Sequence, residues 1–180
     1  MRLKLRGGMK MIKHQAVRRI QFCSGHRVYQ HESKCANVHG HNYVAFFHAE
    51  HELDSIGRVI DFSVLKEKIG GWIDEYWDHG FIYFKNDGLL VELFTHTKEI
   101  IEGAESISVG KLNGHKSFML PTNPTAENMA EYLLMTVCPL VLRHTGVIIK
   151  KVVLWETENC FAEVNIMDFD PKKIRTFTEG

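Results

Sequence analysis

KCANVHGHNYVAFFH, residues 34–48, joins two signals in one run. Its second half, His41 to His48, is rich in aromatic and β-branched residues and reads as a strand. Its first half holds His39-Gly40-His41. Side chains at i and i+2 of a strand share a face, so both imidazoles can converge on one ion. Gly40 between them permits a bulge or a close backbone approach. Upstream, Gln15 to Cys23 (QAVRRIQFC) alternates apolar and polar residues and reads as an earlier strand. The SGHR that follows puts His26 at its end. Three histidines leave the fourth position of a tetrahedral zinc ion open, as in catalytic rather than structural sites. Cys35 is either a fourth ligand, which would close the site, or a base beside the metal, where a cation favours the thiolate.

Downstream, Asp54 to Gly57 (DSIG) supplies turn residues, consistent with a hairpin returning through Arg58 to Asp61. Asp61 or Ser63 can cap a helix carrying Leu65, Ile69, Trp72, Ile73 and Tyr76 at helical spacing. A second helix is signalled by NPTAENMAEYLLM, with Thr125 as cap, Glu127 near the positive N-terminus and Met129, Leu133 and Val137 as its stripe. Pro139 should end or kink it near Cys138. Val147 to Trp155 and Phe161 to Ile166 are β-rich runs separated by ETEN, a hairpin signal. Within the stretch 84–121, Leu89 to Ile101 reads as a helix and Ser117 to Leu120 as a short strand. The order β-β-α-(insert)-α-β-β predicts an α+β fold, an antiparallel sheet with two helices on one face. Its open edges favour a closed oligomer.

Two further positions carry chemistry. In Asp78-His79 a carboxylate stands beside an imidazole, a pair able to hold a tautomer or relay a proton; as an isolated dipeptide before Gly80 it equally suits a surface turn. Glu156 ends the apolar run VVLWE, where a carboxylate either reaches solvent or accepts from a paired donor edge. Arg27 and Lys34 read as solvated surface charges.

The whole chain sets the bounds. Its 180 residues suit one domain, expected over residues 12–180, with 1–11 a possible N-terminal extension and 84–121 an insert. Lys plus Arg and Asp plus Glu are 22 each, so no net positive charge faces nucleic acid. No apolar run is long enough for a membrane helix. Cys23, Cys35, Cys138 and Cys160 are widely spaced, and residues 1–13 lack the apolar segment of a secretory signal, which together predict a cytoplasmic protein. Histidine is abundant, at 11 residues.

FCSGHR, KCANVHGHNY, VIDF, DHG, NPTAEN and ETEN occur in the order seen in the 6-pyruvoyltetrahydropterin and 6-carboxytetrahydropterin synthase superfamily, which the chain resembles from about Ile20 to Glu163. The resemblance implies a tunnelling fold (T-fold) whose sheets join into an oligomeric β-barrel, a homohexamer built as a dimer of trimers. It implies Zn2+ on His26, His39 and His41, and Cys35, Asp78 and His79 as catalytic residues. Glu156 then anchors a pterin ring, with Thr125, Ala126 and Glu127 in the turn that contacts it. Three residues separate Cys35 from His39, as in the 6-carboxytetrahydropterin synthases of queuosine (7-deazaguanine) biosynthesis. The animal-type pyruvoyl enzymes have a longer gap, and another branch has glutamate in place of the cysteine. Three features depart from the pattern. DHGFIY lacks the asparagine often found soon after Asp-His, the segment from His79 to Asn123 is long, and Ser24-Gly25 replaces the usual Ala-Ala.

The implied reaction converts 7,8-dihydroneopterin triphosphate to 6-carboxytetrahydropterin, acetaldehyde and triphosphate, making the enzyme a lyase. The rival expectations are a 6-pyruvoyltetrahydropterin synthase, an aldolase-type cleavage of dihydroneopterin and a non-catalytic zinc- or pterin-binding scaffold. The scaffold has no need for Cys35, Asp78, His79 and Glu156 together.

Overall fold

The computed structural model describes residues 14–94, 99–100, 108–112 and 115–166, so the expected extension over 1–11 lies outside the described residues. Two twelve-residue strands, β1 (Gln15–His26) and β2 (His39–Glu50), form the centre. They pair antiparallel along their full length, from Gln15 opposite Glu50 to His26 opposite His39. Both run further than their apolar runs suggested, because the ladder continues through the glycine pair Gly25 and Gly40. β2 pairs on its other side with β7 (Ile148–Trp155), and β7 with β8 (Phe161–Asn165), the expected C-terminal hairpin.

The turn at Asp54 forms as read. Its carboxylate accepts from the Ile56 and Arg58 amides, and Gly57 takes a φ of +89°. Arg58 to Asp61 forms no returning strand, which corrects the expected hairpin. The β2 edge is already taken by β7, and the chain passes directly to Asp61, which caps a helix by accepting from the Ser63 amide. That helix runs as α1 (Phe62–Leu65), a wider π-type turn (Lys66–Gly70) and α2 (Gly71–Tyr76). The second helical run starts at the Thr125 cap as α4 (Ala126–Tyr132), widens over Leu133–Val137 and continues as α5 (Cys138–Leu142). Pro139 therefore does not end it. A proline lacks the N–H that would reach the Met135 carbonyl, and a widened turn is one way a helix absorbs that loss.

The sheet is mixed, not antiparallel. β3 (Gly80–Phe84) runs parallel to the end of β1, and β6 (His115–Leu120) parallel to β3. Parallel neighbours need long crossovers. The first helical run supplies one of them. The other is the stretch 84–121, which holds α3 (Gly88–Phe94), β4 (Glu99–Ile100) and β5 (Ser108–Leu112) before β6. The strand order is β4-β5-β6-β3-β1-β2-β7-β8. Among the described residues, Gln15 to Cys23 of β1 pair only with β2, β4 only with β5 and β8 only with β7, so three edges stay open.

Strand alternation divides the packing. Phe22 of β1, Tyr43, Ala45, Phe47 and Ala49 of β2, and Val152 and Leu154 of β7 are buried in one cluster with Leu65, Ile69, Trp72, Met129, Leu133 and Val137 of the helical runs. Both long helices thus cover one face, as expected. The short α3 was not foreseen as a cover for the other face, where Leu90 and Phe94 pack on Tyr83. Its start is fixed by Asp87, a carboxylate only 1% exposed that takes two hydrogen bonds from the Arg27 guanidinium at 2.5 and 2.8 Å. Arg27 is therefore not the solvated surface charge expected of it, whereas Lys34 is exposed. No described helix is long and apolar enough to cross a membrane.

Candidate metal centre and active site

The β1–β2 register pairs His26 with His39 and Ser24 with His41. All three histidines share the parity of Phe22 and Tyr43, so they leave the sheet on its helix-covered face. The glycine pair between them keeps the strands close. A Cβ on Gly40 would stand 3.0 Å from the Ser24 carbonyl oxygen, and one on Gly25 would collide with the Phe81 ring at 2.6 Å. One nitrogen of each imidazole lies within 4.8 Å of the others. His26 is buried, and the other two are partly open.

Hydrogen bonds decide which nitrogens face inward. His26 Nδ1 lies 2.7 Å from the Pro124 carbonyl oxygen and His39 Nδ1 2.7 Å from that of Asn37. A carbonyl can only accept, so both Nδ1 atoms carry a proton, and in the neutral rings both Nε2 atoms present lone pairs. Those Nε2 atoms are 3.1 Å apart. Two facing lone pairs repel at that distance, and a cation between them removes the repulsion. Donor atoms about 3.3 Å apart are what a tetrahedral ion with bonds of about 2.0 Å requires. Burial, reinforced by the neighbouring imidazoles and only partly opposed by the Pro124 bond, pushes His26 down to about 4. Burial likewise lowers His41, against the pull of Glu156. Neutral imidazoles are the metal-binding form, so the three residues fit a metal ion.

Glu156 follows the end of β7 and stands at the same place, with Oε1 3.5 Å from His26 Nε2 and 3.7 Å from His41 Nε2. Tyr43, two residues beyond His41, is fully buried, and its hydroxyl has no hydrogen-bond partner among the described residues. Its phenol is pushed well above the ordinary range by burial first and then by the negative charges of Glu156 and Cys35. Cys35 is half-buried on a 3-10 turn (Lys34–Ala36) in the connection between β1 and β2, where its carbonyl accepts from the Val28 amide at 2.7 Å.

Asp78 and His79 lie elsewhere. They turn the corner from α2 into β3, and their side chains pair, His79 Nδ1 to Asp78 Oδ2 at 2.8 Å. The corner is tied to β1 by two backbone contacts of Cys23. Its amide donates to Asp78 Oδ1, and its carbonyl accepts from the His79 amide, both at 2.7 Å. Cys23 pairs with Asn42, opposite in parity to His26 and His41, so its thiol leaves the ladder on the other face, while Asp78 and His79 stand at the β1 edge beside its backbone. Burial alone would raise Asp78, but the Cys23 amide, the His79 ring and the Lys116 charge together hold it below the usual carboxylate range. No hydrogen bond or ion pair among the described residues links Cys35 to Asp78 or His79.

The turn before α4 joins the metal centre through its backbone. Pro124 supplies the carbonyl for His26, and Thr125 Oγ1 accepts from the Asn128 amide at 3.3 Å. Ala126 is partly buried and Glu127 is exposed. Asn123 fixes the turn to the end of β1 by exchanging two 2.8 Å bonds with the Tyr29 backbone. Sequence reading passed over Asn123, Tyr43, Cys23 and the carbonyls of Asn37 and Pro124. Only Asn123 carried a usable signal, an asparagine immediately before Pro-Thr at a helix start.

The sequence model of the family described as 6-pyruvoyl tetrahydropterin synthase matches residues 15–166. A protein of Rickettsia bellii named 6-carboxy-5,6,7,8-tetrahydropterin synthase is 37% identical over 155 residues, covering 86% of this chain and all of the relative. One of the same name from Aquifex aeolicus is 30% identical over 172 residues, covering 84% and 98%. Among solved structures, an uncharacterized protein from Wolinella succinogenes superposes with a TM-score of 0.74 at 25% identity, over 86% of this chain and 99% of the other. The 6-pyruvoyl tetrahydropterin synthase of Caenorhabditis elegans shares the fold, with a TM-score of 0.58 at 20% identity over 87% and 98%.

Proposed function

Since the chain belongs to the 6-pyruvoyl tetrahydropterin synthase family, we propose that it is a zinc-dependent lyase, a 6-carboxy-5,6,7,8-tetrahydropterin synthase of queuosine (7-deazaguanine) biosynthesis. Its substrate would be 7,8-dihydroneopterin triphosphate and its products 6-carboxytetrahydropterin, acetaldehyde and triphosphate. The observation that carries the reading is the convergence of His26 Nε2 and His39 Nε2, 3.1 Å apart, beside the Glu156 carboxylate. Three neutral imidazoles suit zinc and leave a coordination position for substrate oxygen. The relatives' shared name supports the carboxy product over the pyruvoyl one.

His26, His39 and His41 would hold the ion. Zinc bound there supplies a Lewis acid for the hydroxyl oxygens of the substrate side chain, acidifying the neighbouring protons. Cys35 takes the role of general base that removes one of them. His79, oriented by Asp78, exchanges protons on the opposite side of the substrate. Glu156 accepts from the donor edge of the pterin and so fixes the side chain at the reacting position, with the turn of Thr125, Ala126 and Glu127 alongside. Because the Asp78–His79 pair and Cys35 are not joined within one chain, the reading includes assembly. The open edges of β1 and β8 would pair between copies into a barrel, as a hexamer of two trimers, and bring one copy's pair to another's Cys35. The four unpaired thiols suit a cytoplasmic setting.

The test is product analysis with the zinc-loaded protein and dihydroneopterin triphosphate. The expected result is 6-carboxytetrahydropterin with one acetaldehyde per turnover. A pyruvoyl product without acetaldehyde selects the sister reaction, and tight pterin binding with no product leaves a scaffold. Cys35→Ala should lower turnover by about 10²- to 10⁴-fold, the usual worth of a general base, while zinc content is unchanged. Loss of zinc in that variant would make Cys35 a ligand instead.

A further inference from the structure

We propose that Cys23, Asp78 and His79 form a second metal site, selective for a thiophilic divalent cation such as zinc. The three side chains present a sulfur, a carboxylate oxygen and an imidazole nitrogen within 4.8 Å of one another. Cys23 and His79 line a cavity of about 290 Å³ that His41 of the histidine centre also borders, and Asp78 stands beside it, paired with His79. Mixed thiolate, imidazole and carboxylate donors select zinc-like ions over magnesium or calcium, which prefer oxygen alone.

The donors are held before any ion arrives. Cys23 is clamped by its own amide and carbonyl to Asp78 and His79. His79 holds a left-handed backbone, φ +55°, unusual for a residue with a bulky side chain. Lys116 fixes the same corner from the backbone side by donating to the Asp74 and Asp78 carbonyls. Its positive charge opposes a cation there, and a thiolate with a carboxylate outweighs it. Cys23 Sγ stands 2.9 Å from Asn42 Oδ1, so the thiol proton has an acceptor in the metal-free protein and the amide oxygen is a neutral neighbour for the ion. On binding, one S–metal bond forms and the thiol proton leaves to solvent. The ion also takes the place of the proton between His79 Nδ1 and Asp78 Oδ2, now 2.8 Å apart, and that proton moves to His79 Nε2.

Cobalt(II) titration of the metal-depleted protein tests the proposal. The wild type should bind two equivalents per chain, the second bringing near-ultraviolet thiolate-to-cobalt charge-transfer absorption. Cys23→Ser should bind one equivalent and lack that band, and Cys35→Ala should keep it. A single equivalent in the wild type, or a band that survives in Cys23→Ser, overturns the site. An independent check needs no variant. Zinc should shield Cys23 of the wild type from alkylation, read by peptide mass, and undiminished labelling overturns the proposal as well. Occupancy would also block proton exchange at His79, so excess zinc should inhibit the wild type and not Cys23→Ser. That consequence rests on the proposed catalytic role of Asp78 and His79, whereas stoichiometry and shielding do not.

Discussion

The imidazole of His26 donates from Nδ1 to the Pro124 carbonyl at 2.7 Å, coupling the metal-facing ring at the end of β1 to the turn that starts α4. The bond fixes the tautomer, the ring plane and the direction of the Nε2 lone pair together. His26→Asn is therefore expected to lose more than a ligand, because it also leaves the Pro124 carbonyl unpaired beside a buried side chain. Loss of an outer partner alone commonly costs 10- to 100-fold in metal affinity. The first-sphere change should exceed about 100-fold, read by zinc competition against a chromogenic chelator.

Glu156 faces two of the three histidines without belonging to the close group of nitrogen donors. If its role is to hold the pterin, Glu156→Gln keeps its zinc and loses a charge-assisted hydrogen bond worth about 1.5–3 kcal/mol. KM should then rise by about 10- to 100-fold, since 1.4 kcal/mol is a factor of ten. Metal analysis beside the kinetics separates the roles, because a fall in zinc content would assign Glu156 to the ion.

What sequence reading recovered was local. Parity inside β2 brings His39 and His41 to one face, and an Asp or Thr before an apolar stripe marks each helix start, so these features show within a few residues. The rest depends on contacts between distant positions. Cys23 meets Asp78 across 55 residues, Arg27 meets Asp87 across 60 and His26 meets Pro124 across 98. No local pattern encodes such pairings. The parallel placement of β3 and β6 was hidden for the same reason. GFIYF is a five-residue apolar run, too short for periodicity to distinguish a strand from a turn of buried helix. Pro139 does not end its helix, and the irregularity expected near Cys138 takes the form of the widened turn Leu133–Val137 just before it.

Thr125 caps the second helical run while its neighbour Pro124 holds His26. Thr125→Ala removes the oxygen that satisfies the Asn128 amide and should cost about 1 kcal/mol, the usual worth of an N-cap. Thr125→Ser should restore it. Urea unfolding reads both variants. Zinc content should be unchanged in each, because the bond to His26 uses the Pro124 backbone and not the Thr125 side chain.

The Arg27–Asp87 pair is the least exposed ion pair among the described residues, with Asp87 at 1% and Arg27 at 20%. Its guanidinium binds both carboxylate oxygens. Removing one partner of such a pair leaves an uncompensated buried charge, so Arg27→Met should destabilise the fold by about 3 kcal/mol. Replacing both residues removes that penalty, and Arg27→Met with Asp87→Leu should recover most of the loss. The recovery is expected to be incomplete, because Asp87 Oδ1 also reaches the Leu90 amide at the start of α3 at 3.5 Å. Chemical denaturation of the two single variants and the double variant measures the coupling directly. Additive losses would mean that the carboxylate finds solvent once Arg27 is gone, and that the pair orders the β3–α3 corner without holding the fold together.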